Sequence, residues 1–265
     1  GQVLDPKPVP IFNVLPITGQ WALASDGANW IVAFWGTAAS KDLMAVRISP
    51  AGVVLDPPTH SLVPETYYMR FNLRLACAQG ICLATFDDSD DTGAVRFDSN
   101  LNVLGGGVYS LLPVPGADLV SNGAGFYLIW QQQQPDFTVA VMGSRVNTAG
   151  QRLDGAGVNI SATNPPQPYT VTDLAWDGSQ WKVTWGHNSA LRLARVSAAG
   201  QVLDPGGVLV AGPDTGQIAA TSAGGLQIVW TSYVNSDNDI TTAFVSSANV
   251  AGPNRVASTG APMQL

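Results

Sequence analysis

Short apolar runs, hydrophobic at successive positions, recur along the chain between glycine-bearing turns. Trp30-Ile31-Val32-Ala33-Phe34-Trp35 and Phe126-Tyr127-Leu128-Ile129-Trp130 are clear examples. A strand with one face in water alternates strictly, so strands written this way are predicted to be covered on both faces. The stretch 172–210 shows the unit best. Thr172-Asp173-Leu174-Ala175-Trp176 is a short strand, Asp177-Gly178 a hairpin turn, and Trp181-Lys182-Val183-Thr184-Trp185 the returning strand. A polar loop, Gly186-His187-Asn188-Ser189, leads to a third strand from Leu191 to Ser197. The turn Ala198-Ala199-Gly200 opens a fourth, which carries Val202-Leu203 and is expected to continue past Pro205 to Val208-Leu209-Val210.

The unit repeats. Gly200-Gln201-Val202-Leu203-Asp204-Pro205 returns as Gly1-Gln2-Val3-Leu4-Asp5-Pro6, Gly52-Val53-Val54-Leu55-Asp56-Pro57 and Gly150-Gln151-Arg152-Leu153-Asp154-Gly155. Leu101-Asn102-Val103-Leu104-Gly105-Gly106 is a worn copy, and 248–253 a fainter one. The shared leucine falls at 4, 55, 104, 153 and 203, a period of about 50 residues and within the range of repeat architectures. The hairpin turn recurs at Asp26-Gly27, Asn122-Gly123 and, degenerately, Ala223-Gly224-Gly225. The second strand is expected to end on Trp35, Phe86, Trp130, Trp185 and Trp230, and the third carries Arg47, Arg96, Arg145 and Arg195, with Phe244 in the last repeat.

Repeated four-stranded units covered on both faces predict an all-β chain, a five-bladed β-propeller of four-stranded antiparallel blades. The whole of 1–265 is one domain on this reading, with blades at approximately 17–64, 65–113, 114–163, 164–212 and 213–265. Residues 1–12 copy a fourth strand and are expected to close the ring against the last blade. Asn249 to Ala257 competes for the same edge, and which of the two completes the blade stays open. A β-solenoid is the alternative, although its coils usually have shorter periods.

Composition narrows the function. Hydrophobic residues make up 46% and charged residues 12%, and 28 glycines with 18 prolines suit short strands and tight turns. A net charge of −7 from only twelve basic residues argues against nucleic acid, which needs clustered positive charge. No run is long enough to span a membrane as a helix and no signal peptide is visible, so Gly1 reads as the start of a processed or trimmed chain. Cys77 and Cys82 fit a disulfide stapling the arms of a hairpin, and with it an extracellular, periplasmic or cell-surface location. The other reading is a pair of buried thiols in a reducing compartment. A zinc site is not expected, since His60 and His187 lie far from both cysteines.

The combination of an Asp-Gly hairpin, an aromatic at the end of the second strand, an Arg-Val-Ser third strand and Gly-Gln-Val-Leu-Asp resembles β-propeller repeats of secreted bacterial surface proteins. The resemblance covers essentially the whole chain and implies fold and location more than chemistry. In architecture alone the predicted protein is similar to five-bladed lectins of the tachylectin-2 type, without their sugar-site sequence.

The repeated aromatics are expected to pack the core, and the arginines to be exposed or paired with Asp56, Asp154 or Asp204. Function is sought where the repeats disagree. Glu65, Tyr67, Tyr68 and Arg70, joining the first two blades, are groups that stack on and hydrogen-bond to sugar rings or peptide, or else pack over the neighbouring blade. Asp87, Asp88, Asp90 and Asp91 place four carboxylates in five positions, which could hold calcium or form a solvated acidic turn. The milder stretch 235–239 is the last blade's equivalent. Arg74, Asp118 and Asp173 fall at equivalent innermost positions, where they could form an ion cluster or a glycosidase-like acid pair. Phosphate loops, dinucleotide fingerprints and nucleophile elbows are absent, and Asn159-Ile160-Ser161 is a lone glycosylation sequon.

The expected function is a secreted, non-catalytic binding or adhesion module for a glycan or protein, working through blade two without membrane insertion or a cofactor other than calcium. An architectural domain of a larger surface or fibre protein, or a glycoside-active enzyme using Asp118 and Asp173, are the alternatives.

Overall fold

The computed structural model describes residues 20–36, 41–56, 60–64, 71–162, 172–188, 190–210, 217–221, 225–234, 237–246, 252 and 255–258. Among them there are twenty strands and no helix, arranged as five four-stranded sheets, each contiguous in sequence. Sheet one holds β1 (Trp21–Ser25), β2 (Trp30–Trp35), β3 (Leu43–Ile48) and β4 (Ser61–Val63). Sheet two holds β5 (Phe71–Ala78), β6 (Ile81–Asp88), β7 (Asp91–Asp98) and β8 (Val103–Leu112), and sheet three β9 (Asp118–Ser121), β10 (Phe126–Gln133), β11 (Val139–Val146) and β12 (Val158–Asn159). Sheet four holds β13 (Thr172–Trp176), β14 (Gln180–His187), β15 (Ala190–Ser197) and β16 (Val208–Val210). Sheet five holds β17 (Gln217–Ala220), β18 (Leu226–Val234), β19 (Asp237–Val245) and β20 (Arg255–Ser258). Strands follow one another in chain order across every sheet. The chain divides into two compact units, residues 1–126 with 146–151, and 127–145 with 152–265.

Each unit has a core that explains the doubly apolar strands. In the first, Ile31, Ala33, Leu43 and Ala45 of sheet one pack on Leu73, Leu75, Phe86, Val95 and Phe97 of sheet two. Trp35 meets Phe86 edge-on at 5.3 Å between ring centroids, a favourable aromatic geometry. In the second, Tyr127 stacks on Trp181 at 5.3 Å, while Ala175, Leu191, Leu193 and Val210 pack against Leu226, Ile228, Trp230, Ala243 and Val245. Sheet four is therefore covered on both faces. Phe86, Trp130, Trp185 and Trp230 are all buried, as their repetition predicts. They do not end their strands, however. β6, β10, β14 and β18 run on to Asp88, Gln133, His187 and Val234, because ladder pairing continues past the last core contact.

The hairpin turns are built by side-chain capping. Oδ1 of Asp26 accepts the amides of Ala28 and Asn29 (2.8 and 2.7 Å), and Oδ1 of Asp177 those of Ser179 and Gln180 (both 2.9 Å). Asn122 does the same for Ala124 and Gly125. Such local acceptors hold a turn that the backbone alone would leave with open amides.

The insistent Leu-Asp-Pro stretch is not a continuous fourth strand. Val54 and Val202 make single bridges to Ile48 and Val196, after which the chain turns, with Gly207 N–H bonded to Asp204 O at 2.9 Å. The aspartate carboxylate draws the chain back onto the third strand. Arg47, Arg145 and Arg195 each clasp Asp56, Asp154 and Asp204 nine residues on. Each carboxylate also accepts its arginine's own backbone N–H, at 2.8, 2.7 and 3.0 Å. Sheet two, with Gly105-Gly106-Gly107 in place of the turn, has a ten-residue β8 instead, whose pairing with β7 steps from Arg96–Leu104 to Ala94–Tyr109 around a bulge at the glycines.

Candidate functional site

The innermost strands of the first unit are laced together by polar side chains. Gln20 Oε1 accepts the amide of Leu73 at 2.8 Å, and Asn72 Nδ2 donates to Ala117 O at 3.2 Å. Arg74 Nε reaches Asp118 Oδ1 at 2.8 Å, and that oxygen also accepts the Leu119 amide at 2.9 Å. Within the first unit the structure thus brings Arg74 and Asp118 together. In the second unit, Asp173 accepts the Leu174 amide on Oδ1 at 2.8 Å and the Ile218 amide on Oδ2 at 2.7 Å. Both carboxylates spend acceptor capacity joining one innermost strand to the next, a use that repeats around equivalent positions.

The acidic stretch is a tight hairpin rather than a loop. β6 runs through Asp88 and β7 begins at Asp91, so only Ser89 and Asp90 turn, with Ser89 at φ 61°. Ladder pairing sets Asp87 opposite Thr92 and Asp88 opposite Asp91. Asp87 Oδ1 accepts the Gly116 amide at 2.7 Å. Burial raises its pKa above the usual carboxylate value, and this outweighs the bonds from Gly116 and Asn72. Asp88, Ser89, Asp90 and Asp91 line a hollow of about 420 Å³ with Ser110 and Pro113. Among the described residues no group of three or more His, Cys, Asp or Glu side chains is gathered as a metal site.

Cys77 and Cys82 form a disulfide between directly opposed positions of β5 and β6, Cα to Cα 4.0 Å, around the two-residue turn Gln79-Gly80. Cys77 also lines a hollow of about 320 Å³ at the ends of β1, β5 and β9, with Ser25, Ala76 and Ser121. Of the histidines, His60 Nε2 lies 3.0 Å from Leu101 O and His187 Nε2 lies 2.9 Å from Asn188 Nδ2. Glu65, Tyr67, Tyr68 and Arg70 lie outside the described residues, as do the closing segment 1–12 and the side chains of 235–239.

Two features escaped the sequence reading. Lys182 is fully buried beside Asp177, Nζ to Oδ2 3.4 Å, where an apolar residue would be expected from strand position alone. Phe137 is 83% exposed at the tip between β10 and β11, with φ 66°. A third was legible as a break in the repeat, Gly105 standing where four other copies have aspartate.

No protein-family model matches the chain, and no curated protein matches it in sequence. Solved structures do. A chain of a nidogen/laminin complex is 14% identical with a TM-score of 0.50, over 88% of this chain and 78% of that one. The GH43_1 enzyme from Xanthomonas citri, complexed with xylose, is 12% identical with a TM-score of 0.52, over 92% of both chains. A prolyl endopeptidase is 11% identical with a TM-score of 0.55, over 92% of this chain but only 36% of its own length. Their common ground is the β-propeller. The repeat architecture of four-stranded antiparallel sheets is shared, and identities this low carry fold without activity.

Proposed function

We propose that the chain is a secreted, non-catalytic binding module, a five-bladed propeller closed by residues 1–12 against the last blade. Its ligand is a glycan or a protein, taken on the divergent side of blade two by Glu65, Tyr67, Tyr68 and Arg70. The observation that carries this reading is the concentration of irregularity in one blade. Blade two has the disulfide hairpin, the acidic hairpin 87–91 and the glycine run 105–107, while blades one, three and four keep the same clasped turn. Evenly repeated residues answer a structural need common to all blades, and local departures from them mark what one blade does alone. The disulfide favours an oxidising compartment. Glycan-array binding before and after Tyr67→Ala with Tyr68→Ala tests the site. Loss of binding is expected, and binding unchanged by both substitutions would refute it.

A glycoside-active enzyme is the second reading, favoured by the likeness to the GH43_1 fold and by carboxylates on the innermost strands. The bonds made by Asp118 and Asp173 to Arg74 and to strand amides weigh toward a structural role instead. Turnover of aryl glycosides that is lost on both Asp118→Asn and Asp173→Asn would reverse that preference.

A further inference from the structure

The innermost strand of sheet two departs from its counterparts. Between β5 and β6, Phe71 pairs with Asp87 and Arg74 with Thr85, so Asn72 and Leu73 together oppose the single residue Phe86. That is a β-bulge, and Asn72 takes its left-handed backbone at φ 55°. The corresponding pairs in sheets one, four and five run without a shift.

The bulge decides where Phe71 points. Residues three apart on a regular strand lie on opposite faces. The extra residue instead puts Phe71 on the face of Arg74, Thr85 and Asp87, while Leu73 turns to the other face and into the core. In register, the ring would lie on the core face. The bulge gives up that burial and leaves Phe71 53% exposed, with the Arg74 side chain 42% exposed on the same face.

Arg74 is meanwhile fixed in place. Its Nε donates to Asp118 Oδ1 at 2.8 Å and its Nη1 to Leu73 O at 3.3 Å, and the same Asp118 oxygen accepts the Leu119 amide. Nη2 of Arg74 and Oδ2 of Asp118 have no partner among the described residues, and neither atom is buried. The two side chains offset each other's charge and present one donor and one acceptor near an aromatic ring.

We propose that Phe71, Arg74 and Asp118 form a subsite for a neutral sugar ring. Two adjacent hydroxyls, each able to donate and accept, match the free donor and acceptor, and the C–H face of the ring packs on Phe71. Sugars carrying a carboxylate or sulfate are disfavoured, because Asp118 and the acidic hairpin 88–91 lie at the same end of sheet two. The subsite rests on the proposed binding role of that sheet and narrows its ligand to a neutral glycan.

Saturation-transfer NMR of the intact chain with methyl β-D-glucoside, methyl β-D-galactoside and methyl α-D-mannoside tests this, with D-glucuronate as the anionic comparison. At least one neutral glycoside is expected to bind saturably, with a dissociation constant on the order of 1–10 mM, and more tightly than glucuronate. Phe71→Leu, apolar but not aromatic, should weaken binding about tenfold, whereas Phe71→Tyr should keep it. Asp118→Asn retains the bonded oxygen but turns the free acceptor into a donor, and should also weaken binding. Melting temperatures close to wild type would confirm that the substituted chains fold. Binding unchanged by both Phe71→Leu and Asp118→Asn would overturn the subsite, as would preference for glucuronate. Sugar binding that survives those two changes but is lost on Tyr67→Ala with Tyr68→Ala would sink the subsite and leave the wider reading standing. Failure of every neutral glycoside to bind the wild-type chain would also overturn it, leaving a protein as the ligand of that reading.

Discussion

Gly207 lies so close to Trp185 that a β-carbon on it would stand 2.5 Å from the edge of the ring, and Gly157 has the same relation to Trp130 at 2.4 Å. The turn that ends each Leu-Asp stretch is therefore seated on the aromatic that the second strand buries, in sheets three and four alike. Two repeated sequence features, far apart in the chain, are one packing contact.

Gly207→Ala should cost ~2–4 kcal/mol, combining the strain of a side chain at φ 65° with displacement of a fully buried indole. Gly178→Ala is the control. It also has positive φ, 96°, but nothing lies within 4 Å of the added carbon, so it should cost only ~1 kcal/mol. Urea unfolding midpoints measure both, and equal losses would show that the ring contact contributes nothing.

The clasped turns predict an acid-sensitive component of stability. The hydrogen bond from Arg47 holds the Asp56 carboxyl below its ordinary pKa against the opposing effect of burial. At Asp154 burial pushes upward, and the bonds from Arg145 more than offset it. A carboxylate with a depressed folded-state pKa stabilises above its unfolded value, near 4, and that contribution is lost as pH falls through the folded value. Asp56→Asn with Asp154→Asn should therefore destabilise the chain at pH 7 by about 1–2 kcal/mol per site and differ little from wild type in strong acid. Denaturant midpoints followed from neutral pH downward would show the two curves converging.

Lys182 and Asp177 predict opposite outcomes for their two substitutions. Lys182 Nζ is wholly inaccessible, and burial lowers its pKa despite the nearby Asp177 carboxylate. Replacing a buried ion pair's cation with an apolar residue of similar length is often neutral or stabilising, whereas removing the anion leaves a charge stranded. Lys182→Met is expected within about 1 kcal/mol of wild type, but Asp177→Asn to cost roughly 3 kcal/mol, although asparagine retains the Oδ1 that caps the turn. Calorimetric melting of the two variants gives the comparison, and equal effects would argue that the pair is not coupled.

The sequence was most readable where one cause acts in every repeat. Doubly apolar strands, capping residues at Asp26, Asn122 and Asp177, and the Arg–Asp pairs could all be recognised because the same local need is met several times. The opposed cysteines were readable for a related reason, since a two-residue turn between them leaves one pairing. Lys182 was not, because its tolerance in a core depends on an aspartate brought near by the hairpin and on the sheets stacked around it. The fourth strand was misjudged because Val-Leu has strand character, while the bond from Arg195 to Asp204 and the seating of Gly207 on Trp185 bend the chain there.

Periodicity alone determined that the chain is all β and built of similar four-stranded units, since hydrophobic spacing and turn chemistry act within a few residues and need no knowledge of distant neighbours. Tertiary structure decided what each polar side chain does. Asp118 meets Arg74, Asp173 reaches the amide of Ile218, and Arg96 meets no carboxylate among the described residues. These outcomes turn on distances of a few ångströms between separate strands, and hydrogen bonding is decided at that range.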